Sequence, residues 1–330
     1  NNWWDKISTS KNIEKNKRIL EKYRNSLKPG NITLLGLITE GGQGLATGDN
    51  GKYVGIIEDS KYADKIREER IEKLWDFIKT YKPKDEELEF IKSKKDVENY
   101  LNSLQEKKIR ELFDNLKIKY GRDIFGRGWI YRIVSKDEIA DIQYLTDQEK
   151  LNGISGVKTF VPYDKGDKEG NRWYSPITYY IDWSKENVKF LKENSGKKGE
   201  GMPVVRNQIF YFQEGFCWTD VSKEIKSRIK EKSIHDVLTM SLFPLMFSSK
   251  YYVCLLNSTF LSIYLNSFVN TTIHFQINDA RCLPIVIPNL NQLRIFEEIF
   301  DRAYNIQKSK FEGLITENEA KEKLEICLLY

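Results

Sequence analysis

Few residues in this chain are of a type and spacing that could break or make bonds. The two histidines, His235 and His274, stand far apart, and neither has a cysteine or carboxylate nearby at zinc-ligand spacing. They have no G-x-S-x-G serine or activated cysteine to serve, so a nucleophilic hydrolase lacks its parts, and His235 reads as an ordinary polar or capping residue. Nuclease-like Glu-x-Lys groupings occur around Glu14 and Lys15 and from Glu224 to Lys226. With 53 Lys and Arg against 48 Asp and Glu, these arise by chance and read as i,i+4 helix partners.

The remaining polar clusters are suited to holding a ligand. The run Gly44-Leu45-Ala46-Thr47-Gly48-Asp49-Asn50-Gly51-Lys52 fails twice as a P-loop, with Ala46 at the first glycine position and Tyr53 at the Ser/Thr position. Two readings stand: a plain tight turn, or a nest of backbone N–H groups for a phosphate. The loop 163–174 carries Lys165, Lys168 and Arg172 and ends in Trp173-Tyr174, which suits phosphate contact with base or sugar stacking. A solvated hairpin tip with Trp173 in the core fits equally. Lys197-Lys198, in the stretch 194–199, is a second flexible basic loop with the same two readings.

The elements that must position these loops follow from periodicity. Residues 12–27 form an amphipathic helix stopped by Pro29-Gly30. Residues 33–38 and 53–57 read as strands on either side of the glycine-rich loop. Between 62 and 119, apolar residues recur at helical spacing (Ile71, Leu74, Trp75 and Ile78; Val97, Tyr100, Leu101 and Leu104; Ile109, Leu112, Phe113 and Leu116), marking a charged helical insertion. Strands are expected again at 129–134, 159–162, 177–181, 204–213, 251–256 and 285–287. Leu293, Phe296, Phe300 and Ala303 stripe a late helix, and Thr316 and Glu319 form a capping box before the last one. Tyr264 and Phe268, four apart, are expected on a helix face lying on the sheet.

At 330 residues and 40% hydrophobic, the chain can bury a large core. A net charge of only +5 means that any nucleic-acid surface must come from local clustering. Cys217, Cys254, Cys282 and Cys327 lie in apolar runs without a C-x-x-C pair and read as reduced core residues of a cytoplasmic protein. The longest apolar stretch is too short to span a bilayer, so no membrane partner is expected. The opening Asn1-Asn2-Trp3-Trp4, lacking an initiator methionine, reads as the edge of an excised fragment.

Several segments, in order, resemble the region that follows the catalytic domain in bacterial type IIG restriction-modification enzymes and related phage-defence adenine methyltransferases. They are Gly42-Gln43-Gly44-Leu45-Ala46-Thr47-Gly48-Asp49-Asn50; Val161-Pro162-Tyr163-Asp164-Lys165-Gly166 with Trp173-Tyr174; Tyr180-Ile181-Asp182-Trp183; Arg206-Asn207; and residues 212–218. Met240-Ser241-Leu242-Phe243-Pro244, Leu255-Leu256-Asn257-Ser258 and Gln276-Ile277-Asn278-Asp279, leading into Leu283-Pro284-Ile285, complete the series.

The resemblance implies a Taq-methyltransferase-like specificity region: an α+β, mixed-sheet target-recognition domain over 31–288 with its helical insertion at about 60–120. A leading helical segment over 1–30 and C-terminal helices over 289–330 would flank it. The implied partners are double-stranded DNA and a catalytic domain of the same polypeptide, which would use S-adenosylmethionine. The family's catalytic Asn/Asp-Pro-Pro-Tyr/Phe motif needs adjacent prolines, and none of the eight prolines here are adjacent. Phe125-Gly126-Arg127-Gly128 does not make a cofactor loop, so no catalytic residue, cofactor or metal is expected in these residues.

The expected DNA contacts are Thr47, Gly48, Asp49, Asn50 and Lys52; Lys165, Lys168 and Arg172; Lys197 and Lys198; and Asn207 as an orienting amide. Lys94, Lys95, Lys107, Lys108 and Arg110 would either clamp DNA or form a solvated helix face. A specificity subunit that recruits separate enzymes, and a structural or protein-interaction domain, are the alternatives.

Overall fold

The computed structural model describes residues 13–329, apart from Arg122, Arg127, Lys168, residues 220–223, Thr271 and Ile273, and without the side chains of residues 13–15 and 327–329. The readings placed on Asn1 to Trp4, Arg127, Lys168, Glu14, Lys15 and Cys327 lie outside the described residues. The fold is α+β. Its strands, in chain order, are β1 (Ile32–Leu34), β2 (Thr39–Gly42), β3 (Val54–Ile57), β4 (Arg132–Val134), β5 (Phe160–Asp164) and β6 (Tyr179–Asp182). Then follow β7 (Gly215–Thr219), β8 (Ser227–Lys230), β9 (Ile234–His235), β10 (Thr239–Pro244) and β11 (Pro284–Val286). The chain divides into two compact units, the first comprising residues 1–46, 163–177 and 205–330, the second residues 47–162 and 178–204.

In the first unit an antiparallel sheet runs β2-β10-β7-β8, β1 pairs antiparallel with β11, and the last residues of β5, Tyr163 and Asp164, pair in parallel with Ile234 and His235. One face of the sheet is covered by the helix Ser249–Leu256, where Phe216 stacks on Tyr252 with ring centroids 5.1 Å apart. Trp218 donates its indole N–H to the Phe275 carbonyl at 2.8 Å, so this large apolar ring is buried with its one polar atom satisfied. Asn257 closes the same layer: its amide accepts from the Ser227 N–H and donates to the Ser227 carbonyl, both at 2.8 Å. The stripe expected in the late helix is real, since Phe300 and Ala303 of Leu290–Phe311 are buried in this core and Leu293 and Phe296 pack against it. Thr316 and Glu319 make the reciprocal capping bonds, and the leading helix spans Ile13–Ser26.

The second unit holds the mixed sheet β4-β3-β6-β5, with β3 parallel to β4 and antiparallel to β6. The helical insertion forms three helices, Ala63–Tyr81, Lys94–Ser103 and Glu106–Tyr120, whose apolar faces close on one core around Leu74, Phe77, Val97, Phe113 and Leu116. Arg70, buried in the first of these, ties the insertion to the strand region. It donates to both Glu106 carboxylate oxygens at 2.7 and 2.8 Å and to the Tyr131 carbonyl, while Glu106 also accepts from the Ile133 N–H at 3.0 Å. A carboxylate and guanidinium paired this way can be buried with their hydrogen-bonding capacity filled.

Four expectations need correction. Residues 251–256 are helical: Tyr251, Tyr252, Val253 and Leu256 are all buried, and an apolar run buried on every side carries no period that separates strand from helix. Residues 204–213 form no strand. Asn207 at φ 49° and Phe212 at φ 61° take left-handed conformations that break extension, and a 3-10 turn, Gln208–Phe210, lies between them. The run 33–38 is extended only to Leu34 and then turns helical over Leu35–Ile38. Phe268 is exposed rather than packed on the sheet. Among the described residues no single helix is long and apolar enough to cross a membrane; the bent pair Ser249–Leu256 and Thr259–Val269 passes by length and composition, and its first helix is largely buried.

Candidate functional site

Beneath the candidate site in the first unit lies a set of buried ionisable groups. Arg228 grips Asp164 through two parallel hydrogen bonds of 2.7 and 2.9 Å, both side chains being less than a tenth exposed. Burial opposes ionisation of Asp164, but the Arg228 guanidinium, with Lys230 behind it, outweighs burial and holds the carboxyl down to about 2. Lys230 is fully buried, which pushes its ammonium down to about 8, and it donates to the carbonyls of Gln213 and Ser233, each at 2.9 Å. Burial and the neighbouring Lys230 hold the His235 imidazole down to about 3, so the ring is neutral, its Nε2 facing the Gly42 carbonyl at 3.2 Å. Asp236 is raised by burial to about 6 while accepting from the Leu238 and Thr239 N–H groups. Burial pushes the Cys217 thiol far up, so it offers no thiolate nucleophile.

Residues 42–45 are laid along this layer. Gly44 and Leu45 donate to the carbonyls of Asp236 and His235, and a Cβ on Gly44 would stand 1.8 Å from the His235 carbonyl oxygen. Only a residue without a side chain can approach backbone so closely. This contact brings β2 and its following loop to the rim of a recess of about 550 Å3. It is lined by residues 40–43, by Arg206, Asn207 and Phe210, by Met240 of β10, and by residues 276–278 with Arg281. The volume falls in the range of small-molecule pockets.

Asn207 owes its place to its left-handed backbone and to a hydrogen bond from its amide nitrogen to the Gln43 carbonyl at 2.8 Å. Arg281, on the short helix Ile277–Arg281, donates to the Gly41 carbonyl at 2.8 Å and to the Asn278 side-chain oxygen at 3.0 Å, bracing the recess from below. Phe210 lies flat on Phe243, with centroids 4.6 Å apart and planes 5° apart. Arg206, Gln43 and Gln276 are exposed at the rim, and Arg206 makes no ion pair among the described residues.

The expected contact residues fall into both units. In the second, Thr47 donates its hydroxyl to Asn50 at 2.6 Å, and Asp49 accepts from the Lys52 N–H through its side chain and its carbonyl. The Asp49 carboxylate thus accepts one of the loop's own backbone N–H groups, as a helix-capping side chain does. Gly48, at φ 73°, has the Gly201 carbonyl 2.3 Å from where its Cβ would be, so this loop and the loop bearing Lys197 and Lys198 are in contact. Lys52 lies over the rings of Tyr53 and Phe190, while Lys197 and Lys198 are exposed.

In the first unit Lys165 is half-buried, Arg172 is paired with Glu224 at 2.7 Å, and Asn207 alone of the set lines the recess. Trp173 is buried against the late helix, so the stacking role foreseen for it is closed. In the insertion, Lys94 pairs with Glu72, Lys108 with Glu111 and Arg110 with Asp114, as on a solvated helix face.

Glu40, Phe210 and Arg281 were not singled out by residue type or spacing. Arg206 and Gln276 stood inside quoted segments but were given no role, because nothing in a linear sequence says that positions 43, 206 and 276 share a rim. Compared with known proteins, the chain matches no family model and no curated protein.

Proposed function

We propose that this chain is the DNA-recognition portion of a restriction-modification type adenine-N6 methyltransferase, and that a separate catalytic domain binds S-adenosylmethionine and transfers the methyl group. One observation carries this reading. Four segments picked out by their resemblance to that family, around Gly42-Gln43, Arg206-Asn207, Met240 and Gln276-Ile277-Asn278, are far apart in sequence yet meet around the same recess. The side chains they bring there, amides and a guanidinium, are those whose paired donors and acceptors suit base edges and phosphates. Phosphate contacts would fix register, with the exposed Lys52, Lys197 and Lys198 of the second unit and the half-buried Lys165 of the first as the candidate cations.

The test is binding of the full chain to random-sequence duplex DNA across a salt series, followed by selection for enriched sequences. Affinity that falls linearly with log salt and enriches an asymmetric motif is the expected result. A protein-interaction domain is the second reading, favoured by the exposed apolar side chains of Phe260, Ile263 and Phe268 along consecutive helical turns. Absence of salt-dependent binding at low ionic strength would select it.

A further inference from the structure

We infer that the helix Thr259–Tyr264, with the π-helical turn Leu265–Val269 that continues it, is the contact face of a two-fold dimer whose second member is another copy of this chain. The inference goes beyond the DNA reading and does not depend on it. The first support is charge. Residues 251–278 contain no Asp, Glu, Lys or Arg, although such residues make up 31% of the chain. Burial explains this for Ser249–Leu256, but the outward face of the next helix is open to solvent: Phe260 is 67%, Ile263 59% and Phe268 76% exposed. The late helix of the same unit, Leu290–Phe311, shows what this chain otherwise places outside, since Arg294, Glu298, Asp301 and Arg302 are exposed there. Depletion of charge together with enrichment in aromatic residues marks the core of a protein interface.

Shape decides the occupant. Leu261 and Leu265 are buried in the core, so the helix is held from behind. On its other side Phe260, Tyr264 and Phe268 stand four apart and touch in sequence, with ring centroids 6.4 and 5.1 Å apart, forming one i±4 ridge. The π turn that ends the ridge, closed by the Asn270 N–H on the Leu265 carbonyl at 2.9 Å, is of a kind that is rare and frequent at functional sites. Beside the ridge runs the lower row Thr259, Ile263 and Ser267. One face thus carries both a ridge and the valley next to it, in the same direction. A copy turned about a two-fold axis offers the same pair in reverse, so each ridge enters the other's valley in an isologous contact. Residues 251–278 offer no cation to a phosphate and no carboxylate to a basic partner, whereas a second neutral face matches them without opposing charges.

The three exposed side chains present roughly 400 Å2 per copy, about half of the ~800 Å2 that each partner in a stable complex buries. The dimer is therefore expected to be weak, with a dissociation constant of about 10–100 μM. Sedimentation equilibrium of the full chain, without DNA, tests it from about 1 to 300 μM, a range that brackets that constant. The average mass is expected to climb from one chain toward two, equally at low and high salt, because no ion pair takes part. Ile263→Glu sets a carboxylate beside the axis on both copies and weakens association by about 10-fold or more. An equimolar mixture of Ile263→Glu and Ile263→Lys associates again. The site is exposed, and melting curves verify that both variants are folded.

A single chain at every concentration overturns the inference and leaves the face to a different protein. Association that survives Ile263→Glu unchanged places the contact elsewhere and also overturns it. Glu and Lys variants that stay apart when mixed show that the face does not meet its own copy, and association that weakens with salt overturns a neutral contact. None of these outcomes bears on DNA binding, so the two readings fail separately.

Discussion

The two units use polar groups in opposite ways. The first buries charged and polar groups on its strands, with Asp164, Arg228, Lys230 and His235 all nearly or fully buried, and leaves amides and Arg206 exposed around a recess. Among the described residues the second buries a single guanidinium, Arg70, while its glycine-rich loop turns the Thr47 hydroxyl to Asn50 and the Asp49 carboxylate to the Lys52 N–H, and its helices pair lysines with neighbouring carboxylates. Composition alone left the second unit's loop open between a tight turn and a phosphate nest, and only the resemblance made it an expected DNA contact. The difference teaches that a loop rich in Gly, Thr, Asp and Asn is as well suited to satisfying itself as to binding a phosphate, and only hydrogen-bond partners tell which.

The contrast can be broken most directly at the buried pairs. Arg228→Ala strands a carboxylate less than a tenth exposed and is expected to cost about 3–5 kcal/mol in urea unfolding. Arg70→Ala removes the corresponding guanidinium of the second unit, but its partner Glu106 is 30% exposed and keeps the Ile133 N–H. About 1–3 kcal/mol is expected there. Equal losses would erase the distinction between the units. Gly44→Ala, which drives a methyl group into the His235 carbonyl, should destabilise by about 1–3 kcal/mol in the same assay.

Smaller effects sharpen the functional half of the contrast. Arg206→Ala should leave the unfolding midpoint within about 0.5 kcal/mol of the parent and weaken duplex binding by about 10-fold. Arg172→Ala, whose charge is already met by Glu224, should change affinity by less than about 3-fold. A larger loss from Arg172 than from Arg206 would move the interface away from the recess.

Acid stability tests the buried layer itself. His235 protonates near 6.5 when unfolded but only at about 3 when folded, so the unfolded state takes up the proton first and stability falls as pH drops from 6.5 toward 3. Asp236 acts in the opposite sense between about 6 and 3.8, where its folded form binds the proton more tightly. Asp164 adds a further loss as pH falls from 3.8 to about 2. In His235→Gln the decline of the urea midpoint below pH 6.5 should be shallower than in the parent; an unchanged slope would mean that the ring is not buried neutral.

Helices with an exposed and a buried face were legible because the 3.6-residue period is written in the order of residues. The insertion 62–119, the leading helix and the striped late helix all appear where that period runs. The hardest stretch was 204–256, where β7, β8, β9 and β10 went unrecognised and a buried helix was read as a strand. Arg228, Lys230 and His235 stand in strands as fully buried polar residues, which defeats alternation as a signal, and their burial is possible only because Asp164 and distant backbone carbonyls supply partners.

The sequence by itself determined the α+β class, the charged helical insertion and the glycines that permit close backbone approach, because propensity, periodicity and the absence of a side chain act locally. Only the tertiary structure decided which polar residues face a ligand. Gln43, Asn207 and Gln276 become neighbours when β2 pairs with β10 and the left-handed turn at Asn207 folds onto the Gln43 carbonyl. Those are non-local hydrogen bonds, and a linear pattern holds no record of them.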